Sequence, residues 1–300
     1  MTDCLQRIRI VSLATNAPGP VAAARLCDFG ADVVKVEPPL GDPLAHLGSG
    51  WYGELTAGMR VLTLDLKQAP ERARLDQLLE DADLLLTASR PAALERLGLG
   101  WEVLHARFPS LCHAAIVGYP PPREDRAGHD LTYQAKCRTL SPPMMPRVLL
   151  ADLAGAERAV SAALALLLAR ERGQGAGRVL VALSQAAEDF AATVRHGITT
   201  PGGILGGGLP NYSIYRTRSG FLAVAALEPH FFERLLGALG RTTATHEDLA
   251  EILLQRSAAE WENWALERDL PLAAIAEEEG EGESDGSVGA DGTDRTGRLI

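Results

Sequence analysis

Apolar residues in the first two thirds of the chain fall into short blocks separated by turn residues and by stretches of helical period. Blocks at 8–13, 32–36, 60–66, 83–86, 111–117 and 178–183 are rich in Val, Ile, Leu and Ala, the pattern of strands buried on both faces. Between them 21–29, 71–80, 91–97 and 154–170 read as helices. Pro18-Gly19-Pro20 enters the first of these, Gly30 closes it, and Pro91 starts the third. This repeated strand, loop, helix order predicts a largely parallel α/β sheet with helical cover. Further on, 212–216 and 221–226 read as hairpin strands joined through Arg218-Ser219-Gly220, and Glu228-Pro229 opens a helix to Leu236.

A length of 300 residues with 46% hydrophobic content allows one large domain or a large domain with a smaller lobe. The net charge of -10 disfavours non-specific attraction to nucleic acid or anionic membrane, yet leaves room for a local basic pocket. Cys4, Cys27, Cys112 and Cys137 show neither a CxxC pair nor metal-ligand spacing, so they read as incidental thiols in a reducing compartment. The amino terminus lacks the features of a secretory signal, and the longest apolar helical run, 159–168, is too short to span a bilayer. The expectation is a cytoplasmic protein with neither a membrane nor a nucleic-acid partner. Glu, Gly, Asp and Ser dominate 277–291, which predicts a flexible acidic tail over 276–300.

Candidate chemistry centres on two positions. His129, in Ala127-Gly128-His129-Asp130, follows a strand in a Gly-flanked loop; Asp152, in Leu150-Ala151-Asp152-Leu153-Ala154-Gly155, stands ahead of a helix in N-cap territory. An imidazole and a carboxylate on opposite sides of one carbon could move a proton off and back on. A structural histidine and a plain helix cap remain open for them, as capping does for Glu228, whose other reading is to orient the histidine. Lys35, Arg60 and Arg90 lie on or just beyond separate strands and could converge on nucleotide phosphates, or form ordinary surface ion pairs. Gly206-Gly207-Gly208 lacks the Gly-Lys-Ser/Thr ending of a phosphate loop, and neither a Gly-x-Ser-x-Gly elbow nor a His-Glu-x-x-His helix occurs. A cofactor-free enzyme without a metal fits these absences.

Segments 30–42, 60–67, 89–100, 127–133, 151–155 and 208–229, in that order, resemble the class III CoA-transferase family, and most of all its α-methylacyl-CoA racemase branch. The resemblance implies an interlocked homodimer. Each subunit would have a large doubly wound α/β domain and a small domain, with the active site between large and small domains of different subunits. On this chain it implies a large CoA-binding domain with the start of a linker over 1–185 and a small domain with a return segment over 186–275.

Transferases of the family use the aspartate equivalent to Asp152 as a nucleophile, forming acyl-anhydride and thioester intermediates, whereas the racemases pair it with the histidine equivalent to His129. The Gly-His-Asp form resembles the racemase pattern. It therefore implies epimerisation of 2-methylacyl-CoA thioesters through an enolate, with His129 serving one face, Asp152 the other, and amides of the helix after Asp152 stabilising the enolate oxygen. The resemblance further assigns Glu228 to hydrogen-bond the histidine. Lys35, Arg90 and Arg60 are assigned to the nucleotide end of CoA, which is part of the substrate and not a separate cofactor. CoA transfer through Asp152, and a non-catalytic acyl-CoA-binding role, are the alternatives. Three departures stand out: 48–60 lacks the basic run of relatives, Ser184 occupies a position commonly held by aspartate, and Ala156 replaces a glycine. Met144 and Met145 could line an acyl pocket or simply pack in a core.

Overall fold

The computed structural model describes residues 3–276, so the expected acidic tail lies outside the described residues except for Ala276. The chain forms two compact units, a first that ends at Gly197 and a second that begins at Ile198. The division therefore falls after residue 197 and not after 185.

In the first unit β1 (Arg9–Ser12), β2 (Asp32–Glu37), β3 (Arg60–Thr63), β4 (Leu84–Thr87), β5 (Cys112–Val117) and β6 (Arg178–Ala182) form one parallel sheet. Their order is β3-β2-β1-β4-β5-β6. All six match expected blocks. The order reverses between β1 and β4, so this is a doubly wound sheet, and its ligand crevice is expected outside the carboxyl ends of those two strands.

The helices of this unit are α1 (Pro18–Asp28), α2 (Pro43–Leu47), α3 (Ser49–Thr56), α4 (Ala69–Glu80), α5 (Pro91–Arg96), α6 (Trp101–Arg107), α7 (Asp130–Cys137), α8 (Leu150–Ala169), α9 (Leu183–Phe190) and α10 (Ala192–Arg195). Successive strand residues alternate between two cores, as pleating requires. Ile10, Val33, Leu84 and Leu86 pack with Val21 and Leu26 of α1 and Ala159 and Leu166 of α8. Val11, Val34 and Leu85 face the other way, onto Leu75 and Leu79 of α4, Leu94 of α5 and Leu104 of α6. Leu183 and Ala187 of α9 belong to the first core, which keeps this helix with the first unit and moves the boundary past 185.

The second unit holds β7 (Tyr212–Arg216), β8 (Phe221–Ala225) and β9 (Leu272–Ala274), an antiparallel sheet in that order, with α11 (Pro229–Ala238), α12 (His246–Leu253) and α13 (Ala258–Leu266). Tyr215, Leu222, Val224 and Leu272 share a core with Leu235, Leu249 and Trp261. The last two helices and β9 were not expected, although both helices open on capping boxes, Thr245 with Asp248 and Ser257 with Glu260. No helix among the described residues is long and apolar enough to cross a membrane.

Leu85 is fully buried in the middle of β4. Leu85→Ala should lower the unfolding free energy of the first unit by ~2–5 kcal/mol in urea titration followed by circular dichroism.

Candidate active site

Two cavities flank the reversal of the sheet, both in the first unit. One, of about 200 Å³, is lined by Asn16 after β1, Arg90 after β4, Gly118 after β5, and by Glu124, Arg126, His129, Tyr133 and Asp152. The second, of about 460 Å³, is mostly apolar, bounded by Leu13, Val36, Pro38, Leu40, Leu64 and Leu94, with Lys67 and Asp65 at its polar edge. Thr15 lines both, so the segment after β1 is their common wall.

His129 is the N-cap residue of α7 in extended backbone conformation, and its N–H donates to Thr132 Oγ1 at 3.1 Å. Its place is set by Tyr133, one helical turn on. That ring is buried, and its phenol lies where a Cβ at Gly118 or Gly128 would be, so neither position accepts a side chain without displacing the tyrosine. Burial, with Tyr119 and Asp152 nearby, pushes the Tyr133 phenol up to about 12.

Asp152 departs from its expected place. The helix opens at Leu150, four residues before its expected start, which puts Asp152 third in α8, and the carboxylate that caps this helix comes from Asp130. The N–H groups of Ala151 and Asp152 both donate to Asp130 Oδ1, at 2.7 and 3.1 Å, while Gln134 Nε2 donates to Asp130 Oδ2 at 2.7 Å. The Leu150 N–H donates to Val148 O and the Leu153 N–H to Leu149 O. Every amide from 150 to 153 is thus engaged, and the expectation that the start of this helix would stabilise an enolate oxygen is corrected: it has no N–H to spare.

This arrangement also tunes Asp152. Burial, reinforced by the charge of Asp130, raises its carboxyl from 3.8 to about 7. Both protonation states are then populated near neutral pH, as proton transfer requires, and the ionised form is more basic than an ordinary carboxylate.

Of the expected cations, Arg90 reaches the Asp152 cavity: it is exposed and stands at the N-cap of α5. Lys35 does not reach a ligand surface. Its side chain has no exposure, and Nζ donates to Glu37 Oε1 at 2.7 Å and Asp42 Oδ2 at 2.8 Å, so its expected phosphate contact is corrected to a buried ion pair. Arg60 starts β3 at the opposite end of the sheet, beside Arg9, Asp32 and Asp81, and the cavities at the carboxyl ends are beyond its place. Glu228 is exposed at the N-cap of α11 in the second unit. Sequence reasoning assigned no role to Lys67, Arg126, Glu124 or Asp130. For Asp130 a readable signal was its place beside His129 in the same motif.

An open parallel sheet with paired cavities at its reversal, one holding a carboxyl that titrates near neutral pH, is a doubly wound α/β enzyme scaffold. The chain belongs to CoA-transferase family III, whose family model matches residues 5–281. It is 32% identical over 289 residues to the α-methylacyl-CoA racemase of Homo sapiens, covering 86% of this chain and 74% of that one. It is 30% identical to the succinyl-CoA–D-citramalate CoA-transferase of Chloroflexus aurantiacus, over 79% of this chain and 65% of that one. The crystal structure of a hypothetical protein from Mycobacterium tuberculosis superposes with a TM-score of 0.80 at 25% identity, covering 92% of this chain and 86% of that one. The fold is therefore that of the class III CoA-transferases, and the chemistry is that of this family on acyl-CoA thioesters.

Because the folded-state pKa of Asp152 exceeds its unfolded value, its stabilising contribution is complete below 3.8 and is lost as pH rises through about 7. Asp152→Asn should therefore match the wild-type protein in stability near pH 4 and exceed it above pH 7 by a few kcal/mol, at ~1.4 kcal/mol per pKa unit. Thermal melts across that range check this.

Proposed function

We propose that the chain moves CoA between carboxylic acids, with Asp152 as the attacking carboxylate. The observation that carries this reading is Asp152 itself, part-buried in the smaller cavity with its basicity raised by burial and Asp130. Its ionised oxygen adds to the thioester carbonyl carbon, the C–S bond breaks, and CoA leaves as thiolate with an Asp152 anhydride behind it. The thiolate then attacks the Asp152 carbonyl, releasing the first acid and leaving CoA on the aspartate. The second acid repeats the exchange in reverse, restoring the free carboxylate. The larger, apolar cavity suits the nucleotide end of CoA, with Lys67 and Arg90 as the cations for its phosphates in place of Lys35 and Arg60. With the start of α8 saturated, and the His129, Thr132 and Tyr133 amides engaged, the amides of Asp130 and Leu131 that open α7 are the donors proposed for the thioester oxygen.

His129 favours a second reading. Its place in the same cavity as Asp152 suits removal of the α proton of a 2-methylacyl-CoA by one group and its return by the other, which is epimerisation. Under either reading the proposal includes an interlocked homodimer, and under the second it keeps Glu228 as the orienting carboxylate for the histidine.

One experiment separates the readings: purified protein with single-isomer acyl-CoAs in deuterated water, with and without a panel of acceptor acids. Transfer should appear only with an acceptor, rise with pH through about 7, vanish in Asp152→Ala and persist in His129→Ala. Deuterium entry with inversion, lost equally in both variants, would replace transfer by epimerisation. Neither reaction, with acyl-CoA binding intact, would leave a binding protein.

A further inference from the structure

The buried ammonium of Lys35 lies between two carboxylates and has no contact with solvent. Glu37 also accepts the Tyr52 hydroxyl and lines the larger cavity. Asp42 is fully buried; its Oδ1 accepts the Leu44 N–H at 3.0 Å, which caps α2, and the Asn16 N–H at 2.9 Å. Asn16 has a left-handed backbone, φ 63°, which a non-glycine residue adopts only when its surroundings impose it. It lines the Asp152 cavity, and Thr15 beside it is the wall common to both cavities.

Capping a five-residue helix such as α2 needs one neutral oxygen, which serine supplies. Burying an ammonium with two carboxylates is a costly way to do it. The excess is explained if the direction of the Asp42 carboxylate matters: Lys35 pulls on Oδ2, which aims Oδ1 at Asn16.

We infer that Lys35 and Asp42 are positioning residues for the reaction at Asp152, acting through Asn16 by locking the left-handed turn that sets the wall between the two cavities. A thioester extending from one cavity to the other must pass this wall, so the turn governs where its carbonyl stops relative to Asp152. The inference rests on the reading that Asp152 is the reacting group, and it gives Lys35 a role without any ligand contact.

The test uses Asp42→Asn, which keeps the shape but weakens the pull from Lys35, and Asn16→Gly, which keeps the turn and removes the side chain. Asp42→Ser, which keeps an oxygen for the Asn16 N–H, serves if the first variant does not fold. Hydrogen exchange read by mass spectrometry should show residues 13–20 exchanging about tenfold faster in the Asp42 variant, with β4 and β5 unchanged. In transfer or α-exchange assays kcat should fall about tenfold with KM for the acyl-CoA within about threefold, and the double variant should be no slower than the slower single one. Unchanged exchange at 13–20, or losses that multiply in the double variant, would overturn the inference. If the wild-type protein catalyses neither reaction, the functional reading fails, and the exchange measurement still decides whether this network holds the turn.

Discussion

The carboxylate of Asp130 is the joint on which the site depends. It follows His129 directly and takes two amides from the first turn of α8, so the loop that presents the histidine and the helix that presents Asp152 are fastened to one side chain. Hydrogen bonds to a charged acceptor contribute ~1.5–3 kcal/mol each. Without this one, two buried amides would lose their partner and the two helix starts could drift apart. Burial raises the carboxyl of Asp152, and the same charge adds to it. A bond that looks purely architectural thus contributes to the acidity of the group proposed to react.

The sheet determines where that group can be used. Parallel strands that reverse their winding at β1 and β4 leave a gap at their carboxyl ends, and both cavities occupy it. One is furnished with arginines, a histidine and carboxyls, the other with leucines, valine and prolines. A ligand with a reactive polar end and a flat ring system at a distance from it would match that division. Arg90 stands at the polar end without an ion pair among the described residues, whereas Lys35, on β2, is neutralised inside the protein.

The six strands of the large sheet were legible because burial on both faces leaves a nearly unbroken apolar signature. Placing side chains along those strands was harder. Lys35 and Arg60 both read as strand cations, but one points into the protein and the other sits at the amino end of its strand, distinctions that depend on register and on which end faces the crevice. The short α7 escaped notice since its sequence, Asp130–Cys137, carries polar residues on most positions and its hold on the core comes mainly from Tyr133. Asp152 read as a helix cap because an aspartate before an apolar run usually is one. The actual cap arrives from 22 residues earlier in the chain, and such a partner leaves no local mark. His129 and Asp152 were nonetheless found as a pair, and they line one cavity.

Tyr133 carries a consequence for how this family member can vary. Its phenol occupies the space that side chains at Gly118 and Gly128 would need, and these glycines lie near opposite ends of the twelve-residue loop between β5 and α7. The three positions are therefore one unit of variation. A smaller residue at 133 would release both glycines to acquire side chains, while a substitution at either glycine alone would displace the ring. Homologous sequences should accordingly change these three positions together or not at all.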